Sequence, residues 1–366
     1  MTSETRSKMK YVRLGSSGLK VSKIILGCMT YGDPNWSGKW VLGEEEALKH
    51  IKAAYDMGIN AFDTANVYSN GLSEEILGRA IKKFNLPRDE IVVLTKVCLI
   101  AARGTADTVM AAEADARGYV NQYGLSRKHI FDSVKHSLRR LGLEYIDVLQ
   151  CHRFDPNTPI EETMQALHDV VKAGLVRYVG MSSCYAWQFH AMQNYAINNK
   201  LTPFISMQNH YNLLYREEER EMFPTLKARL SALIDCIHFG VGAIPWSSIA
   251  RGSLARPLSQ QSQRGATDTY KASFLYPPTA ATDSIVNRHR IISLRRVEEI
   301  ANKRGISMAQ VSVAWVMSQE GVSAPLVGTT SLDNLRDIVG AIHVELTQEE
   351  IKYLEEPYKP VAVAGH

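Results

Sequence analysis

The chain contains no Cys-x-x-Cys pair, and its five cysteines, Cys28, Cys98, Cys151, Cys184 and Cys236, are widely spaced and odd in number. That excludes a disulfide framework and points to reduced thiols in a reducing compartment. No apolar run approaches the roughly 18 residues that a membrane-spanning helix needs. The polar opening MTSETRSKMKYVRLG has no hydrophobic core of a secretory signal. A cytoplasmic protein without a membrane partner is therefore expected. A concentrated basic stretch is missing too. The net charge is only +4 over 366 residues, and pairs such as Arg139-Arg140 read as a solvated helix face, so no nucleic-acid partner is expected. Two nucleotide fingerprints are also absent: no GxGxxG follows the first apolar run, and GxxxxGK[ST] occurs nowhere. Both absences argue against a doubly wound sheet. With no break in composition, residues 1–366 read as one domain with a core of about 23–356.

What is present is an alternation. Short β-branched apolar runs recur at Lys23–Gly27, Asn60–Thr64, Ile91–Lys96, Tyr145–His152, Val176–Ser183, Phe204–His210, Val241–Ser247 and Ala324–Thr329. Between them lie helical patterns at Gly43–Gly58, Ser73–Lys83, Ser126–Leu141, Pro159–Ala173, Tyr185–Asn198, Ile291–Arg304 and Ser307–Gln319. Ser73 reads as the N-cap of its helix. Strands alternating with helices imply parallel pairing through crossovers. Eight such units predict an α/β fold, a closed (β/α)₈ TIM barrel. Its surplus residues form long loops after the third strand, Ala101–Gly124, and after the seventh, Gly252–Arg290. The first 22 residues, with Gly15-Ser16-Ser17-Gly18 as a turn, predict a hairpin across the barrel floor.

In such a barrel the chemistry sits where the strands end. The strand ends supply Asp63, with Tyr68 just beyond it, then Lys96, then His152. Alone, each has an ordinary structural role: a helix cap, a packed loop aromatic, a solvent-seeking lysine, a structural histidine. Together they form a proton-transfer set. A nearby ammonium is expected to lower the tyrosine pKa from its usual value near 10, and a carboxylate keeps that ammonium charged. An imidazole can orient a carbonyl oxygen or relay a proton. The set suits protonation of an alkoxide developing on a carbonyl carbon. A competing zinc site from Cys98, Cys151, His152 and Cys184 is disfavoured, because Cys151 and His152 are neighbours and would point to opposite faces of a strand.

These motifs resemble the aldo-keto reductase family over nearly the whole chain. The match includes LGCMTYGD, FDTANVYSNGLSEEILGRAI, LTKV, SLRRLGLEYIDVLQCHRFDP, GLVRYVGMSS, MQNHYNLLYREEER, IPWSSIARGSL and APLVGTTSLDNL. The look is that of the branch holding aryl-alcohol dehydrogenase-like and versiconal hemiacetal acetate reductase-like enzymes. The resemblance implies an NADPH-dependent oxidoreductase that reduces an aldehyde or ketone, with Asp63, Tyr68, Lys96 and His152 as catalytic tetrad. Tyr68 would be the general acid. NADP(H) would lie across the barrel mouth, touching Thr30, Asp63, Ser182, Ser183 and Gln208 near the nicotinamide. Trp246 would stack on the ring, Ser247, Ile249 and Arg251 would approach the pyrophosphate, and Gly328, Thr329, Asn334 and Asp337 the adenosine phosphate.

The chain departs from the family pattern at several points. Ser183 stands where the family often has Asn, Ser248 where relatives usually have Pro, and Asn334 where many have an Arg that clamps the 2′-phosphate. The segment Arg229–Phe239, RLSALIDCIHF, is longer and more apolar than in relatives. For the substrate, Tyr31, Trp36, Trp40, Phe154 and Tyr185 are expected to line the pocket, with Ala101–Gly124 as a lid. So many rings suit an apolar or aromatic carbonyl compound. The alternative reading is an NADP(H)-binding regulatory subunit resembling the potassium-channel β-subunits.

Overall fold

A computed structural model describes residues 9–227, 239–260 and 285–366. Eight parallel strands form one sheet: β3 (Ile25–Gly27), β4 (Ala61–Asp63), β5 (Val92–Val97), β6 (Ile146–Cys151), β7 (Val176–Ser182), β8 (Phe204–Gln208), β9 (Gly242–Ala243) and β10 (Leu326–Val327). Each pairs with its sequence neighbour, and β10 returns to pair with β3. The ring is closed between β9 and β10 by Ser323 N–H donating to Ala243 O (2.8 Å) and Leu326 N–H donating to Pro245 O (2.8 Å). This is the expected (β/α)₈ barrel.

The two-residue period of a strand decides what the barrel holds. Ile25, Ala61, Val92, Leu94, Val148, Ile244 and Leu326 form an inner cluster. Leu26, Phe62, Val93, Val97, Leu149, Cys151 and Met181 pack in the outer cluster, which includes the helices. Continuing the inward series toward the strand ends changes apolar into polar: Ala61 to Asp63, Leu94 to Lys96, Val148 to Gln150 and His152. Cys151 lies on the opposite face, as its neighbour's position requires.

The predicted hairpin is present as β1 (Tyr11–Arg13) against β2 (Lys20–Ser22), with Leu14 and Val21 sealing the inner cluster from below. Gly15, with φ +59°, sits so close to the floor that a Cβ there would lie 2.5 Å from Gly240 O. The crossover helices are α1 (Glu44–Asp56), α2 (Leu72–Lys83), α3 (Arg127–Leu141), α4 (Ile160–Lys172), α5 (Ala186–Asn198), α6 (Met222–Leu226), α7 (Ile285–Arg304), α8 (Met308–Ser318) and α9 (Leu332–Val339); α10 (Gln348–Glu355) follows. None of the described helices is long and apolar enough to cross a membrane.

Several boundaries differ from expectation for physical reasons. β9 and β10 are shorter than Val241–Ser247 and Ala324–Thr329: Pro245 and Pro325 have no N–H for a ladder, and Ser247 takes a left-handed φ of 58°. Ser73 is not the cap of α2. Gly71, left-handed at φ 99°, holds that position, and the Ser73 hydroxyl donates instead to Cys28 O (2.8 Å). Helix α7 begins at Ile285, earlier than the expected Ile291, so the loop after β9 is shorter at its end. Most of that loop, and nearly all of residues 229–239, lie outside the described residues. The loop at 101–124 has a small core of its own, in which Ile100, Ala102, Ala114 and Tyr119 are buried.

Candidate active site

Asp63 and Lys96 end the inward faces of β4 and β5 and are fully buried, at 1% and 0% exposure. Lys96 Nζ donates to Asp63 Oδ1 (2.5 Å), Thr64 O (2.8 Å) and Tyr68 Oη (3.2 Å), which accounts for all three ammonium protons. The other carboxylate oxygen, Asp63 Oδ2, accepts from Gln150 Nε2 and Gln208 Nε2, each at 2.8 Å. Gln208 Nε2 also donates to Gln150 Oε1 (2.9 Å). A buried ion pair is tolerated when its remaining hydrogen-bonding capacity is met in this way. Gln150 was not singled out in the sequence; the signal was an amide in an otherwise apolar strand, two residues before His152 on the same face.

Burial pulls the Lys96 pKa down, but Asp63 and Tyr68 outweigh it and the ammonium stays protonated above its ordinary range. Tyr68 corrects an expectation. Lys96 does pull its pKa down, yet burial is the larger effect and the phenol lies above its ordinary value. It is a neutral proton donor. His152 meets Tyr68 edge-on at 5.8 Å. Burial, with Arg153 and Lys96 nearby, holds its pKa well below the usual imidazole range, so the ring is neutral at physiological pH.

The chain that carries Tyr68 is strained. Ser69, Asn70 and Gly71 take φ of 46°, 53° and 99° in succession, a conformation costing about 1–3 kcal/mol at each non-glycine position. Side chains hold it in place. Ser69 Oγ accepts from Asp33 N–H (3.0 Å). The Asn70 carboxamide accepts from Ala102 N–H (2.9 Å) and donates to Gly104 O (2.7 Å) and Asp107 O (2.8 Å), tying the tyrosine turn to the loop after β5.

These groups open onto a cleft of about 570 Å³. Trp36, Trp40, Leu99, His152 and Arg153 line it beside Tyr68. Thr30, Ser182, Gln208 and Trp246 follow, and then the loops after β9 and β10, with Ser247, Ile249, Arg251, Gly328, Thr329, Asn334 and Asp337. The expected residues thus converge, with exceptions. Lys96 stands behind the wall. Ser183 does not border the cleft; its Oγ accepts from Trp246 Nε1 (3.1 Å) and so fixes the indole. Tyr31 is buried at 0% exposure against His50 and does not line the cleft. Phe154 and Tyr185 lie outside the lining, packed on Trp187 and His366.

Trp246 ends a stack in which His210 lies 4.3 Å from it, 13° from parallel, and Tyr215 lies 4.2 Å from His210. Burial drives the His210 pKa down to about 3, so the stack is uncharged at neutral pH. After it, Ser247, Ala250, Arg251 and Gly252 all have positive φ (58°, 48°, 53° and 88°). Such turns aim successive backbone N–H groups into a concavity suited to anions. Ser248 Oγ donates to Leu326 O (3.1 Å), joining the ends of β9 and β10, which a proline could not do. Helix α9 points its N-terminus at the cleft, capped by Ser331. Asp337 is engaged by Ser307 Oγ (2.5 Å) and Gln310 Nε2 (2.9 Å). A further lining residue, Arg256, went unnoticed in the sequence; its Nε is buried without a hydrogen-bond partner among the described residues.

Cys98, Cys151 and Cys184 are buried as free thiols, with burial pushing Cys98 up to about 12. Among the described residues, no group of three His, Cys, Asp or Glu could hold a metal ion.

Comparison with known proteins agrees with this geometry. The aldo/keto reductase family model matches residues 23–359. Versiconal hemiacetal acetate reductase of Aspergillus parasiticus is 48% identical, over 97% of this chain and 98% of its own. An aryl-alcohol dehydrogenase-like protein of Schizosaccharomyces pombe is 46% identical over 97% of each chain, and the aldo-keto reductase AFTS1 of Alternaria alternata is 44% identical over 98% of this chain and 94% of its own. With family model, relatives and barrel in agreement, the chain belongs to the aldo/keto reductase family, in its branch of versiconal hemiacetal acetate reductase-like and aryl-alcohol dehydrogenase-like oxidoreductases.

Proposed function

We propose that the protein reduces a small, apolar or aromatic aldehyde or ketone to its alcohol at the expense of NADPH. The observation that carries this reading is the Lys96 Nζ–Tyr68 Oη contact at 3.2 Å. An ammonium only donates, so Tyr68 Oη accepts there, and its own proton is left to be donated toward the cleft. A substrate carbonyl oxygen beside Tyr68 would take that proton as negative charge develops on it, and the buried Lys96 would stabilise the tyrosinate left behind. Neutral His152 would hold the same oxygen by a hydrogen bond, and Asp63, fixed by Gln150 and Gln208, would keep Lys96 charged and in place.

The lining fits a nicotinamide dinucleotide. Trp246 offers a rigid indole, the turn at 247–252 offers N–H groups for a pyrophosphate, and Gly328 to Thr330 with the α9 N-terminus offers a second anion site. When bound, the nicotinamide supplies the hydride. The buried, unsatisfied Nε of Arg256 in the same lining supports NADP over NAD, since a guanidinium suits a 2′-phosphate and could replace the arginine missing at Asn334.

Fluorescence titration with NADPH and NADH, followed by NADPH consumption with aromatic aldehydes, tests the reading. In Tyr68→Phe, kcat should fall by about 10²–10⁴-fold while NADPH affinity stays within twofold; retention of turnover would remove Tyr68 as the acid. Arg256→Gln should weaken NADPH by at least tenfold and leave NADH little changed. Equal losses for both dinucleotides would contradict the 2′-phosphate assignment.

A further inference from the structure

The tetrad uses His152 and leaves its neighbour unexplained. Arg153 follows directly on the inward series of β6 and lines the cleft. Its Nη1 donates to His152 O (2.5 Å), which anchors the guanidinium at the catalytic histidine. The lining contains three cations, Arg153, Arg251 and Arg256. Two of them sit in the loop after β9, on the side proposed for phosphates. Arg153 stands apart, with Trp36, Trp40 and Leu99, where a substrate would enter.

No carboxylate in the lining competes for it. Asp63 is held by Lys96 and the two glutamines, and Asp337 by Ser307 and Gln310. The charge of Arg153 reaches the reacting groups as well: it acts on Tyr68 and on His152, lowering both pKa values. Trp36 lies 6.2 Å from the Tyr68 ring, so an aromatic ring between them would have its carbonyl at the phenol and its substituents toward Arg153.

We propose that Arg153 forms an anion subsite at the substrate end of the cleft, and that the preferred substrates are aromatic carbonyl compounds carrying a carboxylate or similarly acidic group. The inference rests on the reductase reading and narrows it from apolar aromatics to acidic ones. A guanidinium is always charged and pairs with a carboxylate through two parallel N–H donors, so loss of the anion or of the arginine should be felt strongly.

The test compares 3- and 4-carboxybenzaldehyde with their methyl esters, in wild type, Arg153→Gln and Arg153→Lys. The wild type should favour one acid over its ester by tenfold or more in kcat/KM. Arg153→Gln should collapse that ratio toward one, and Arg153→Lys should recover part of it. The ratio is the decisive quantity, because any effect of Arg153 on Tyr68 or His152 is common to acid and ester and cancels. A second readout needs no turnover: quenching of tryptophan fluorescence by benzoate, against benzamide, with benzoate binding weakened at least tenfold in Arg153→Gln. If aldehydes are reduced with no preference for the acid, or the ratio survives in Arg153→Gln, the subsite is overturned and the reductase stands. If no aldehyde is reduced while benzoate binding still depends on Arg153, the subsite stands and the reductase reading falls.

Discussion

Each ammonium proton of Lys96 has a named acceptor, and that fixes the behaviour expected of Tyr68 as pH changes. Burial raises the tyrosine pKa more than Lys96 lowers it, so the donor form persists beyond the ordinary tyrosine range near 10. His152 is already neutral at physiological pH. The kcat for carbonyl reduction should therefore be level from about pH 6 to 9 and decline only beyond the ordinary tyrosine range. A pH profile of kcat in single turnover checks this, and a decline centred near neutrality would mean that Tyr68 is not the titrating donor. The tetrad was legible in the sequence because acid, phenol, lysine and imidazole end successive apolar runs. Gln150 was not, since an amide inside a strand gives no sign of facing a carboxylate across the barrel. Tyr31 misled for the opposite reason: a ring beside a loop looks like a pocket wall, but whether it turns inward depends on packing against His50 that no local pattern records.

The turn after β4 and the loop after β5 are separate in sequence and joined by one side chain. Asn70 bonds to Ala102, Gly104 and Asp107 while holding a left-handed backbone two residues from Tyr68. Asn70→Ala removes these bonds and places a residue that resists positive φ at a strained position. The expected result is a loss of about 2–4 kcal/mol in stability, with kcat reduced more than NADPH affinity, because Tyr68 shifts while the cofactor surface is untouched. Asn70→Gly restores the backbone freedom but not the tether. If Asn70→Gly recovers full kcat, strain alone was at issue and the tether does not position the tyrosine. At this scale the sequence showed the long loop at 101–124 but not its internal core, because Ile100, Ala102, Ala114 and Tyr119 follow neither the strand nor the helix period. The short strands β9 and β10 were overestimated, since an apolar run continues past the point where Pro245 and Pro325 interrupt the ladder.

Across the whole molecule, the hairpin closes the floor of the barrel and the C-terminal segment returns over its upper rim. The number of apolar runs made the ring legible, whereas the return of the tail was not, because 356–366 carries no periodic pattern. The tail is tied to the segment after β8. Tyr358 Oη donates to Glu217 Oε1 (2.5 Å), Val361 N–H to the same oxygen (2.9 Å), and His366 Nε2 approaches Glu218 Oε1 at 3.5 Å. Glu218 is 4% exposed, and burial pushes its pKa up to about 7, with Glu217 adding to the rise and Asn209 opposing it. His366 is held down at about 4 by burial and Arg153, so it brings no positive charge at neutral pH. A carboxyl whose folded pKa exceeds its unfolded value binds protons better when folded. Its contribution is complete below the unfolded value near 4.5 and is lost as pH rises through 7. The loss amounts to about 3 kcal/mol. Glu218→Gln keeps the shape and the Asn209 contact but cannot ionise. It should melt at nearly the wild-type temperature at pH 5 and a few degrees above it at pH 8.5, as read by thermal unfolding at both values. An offset independent of pH would show that the carboxyl of Glu218 does not ionise in the folded barrel over that range.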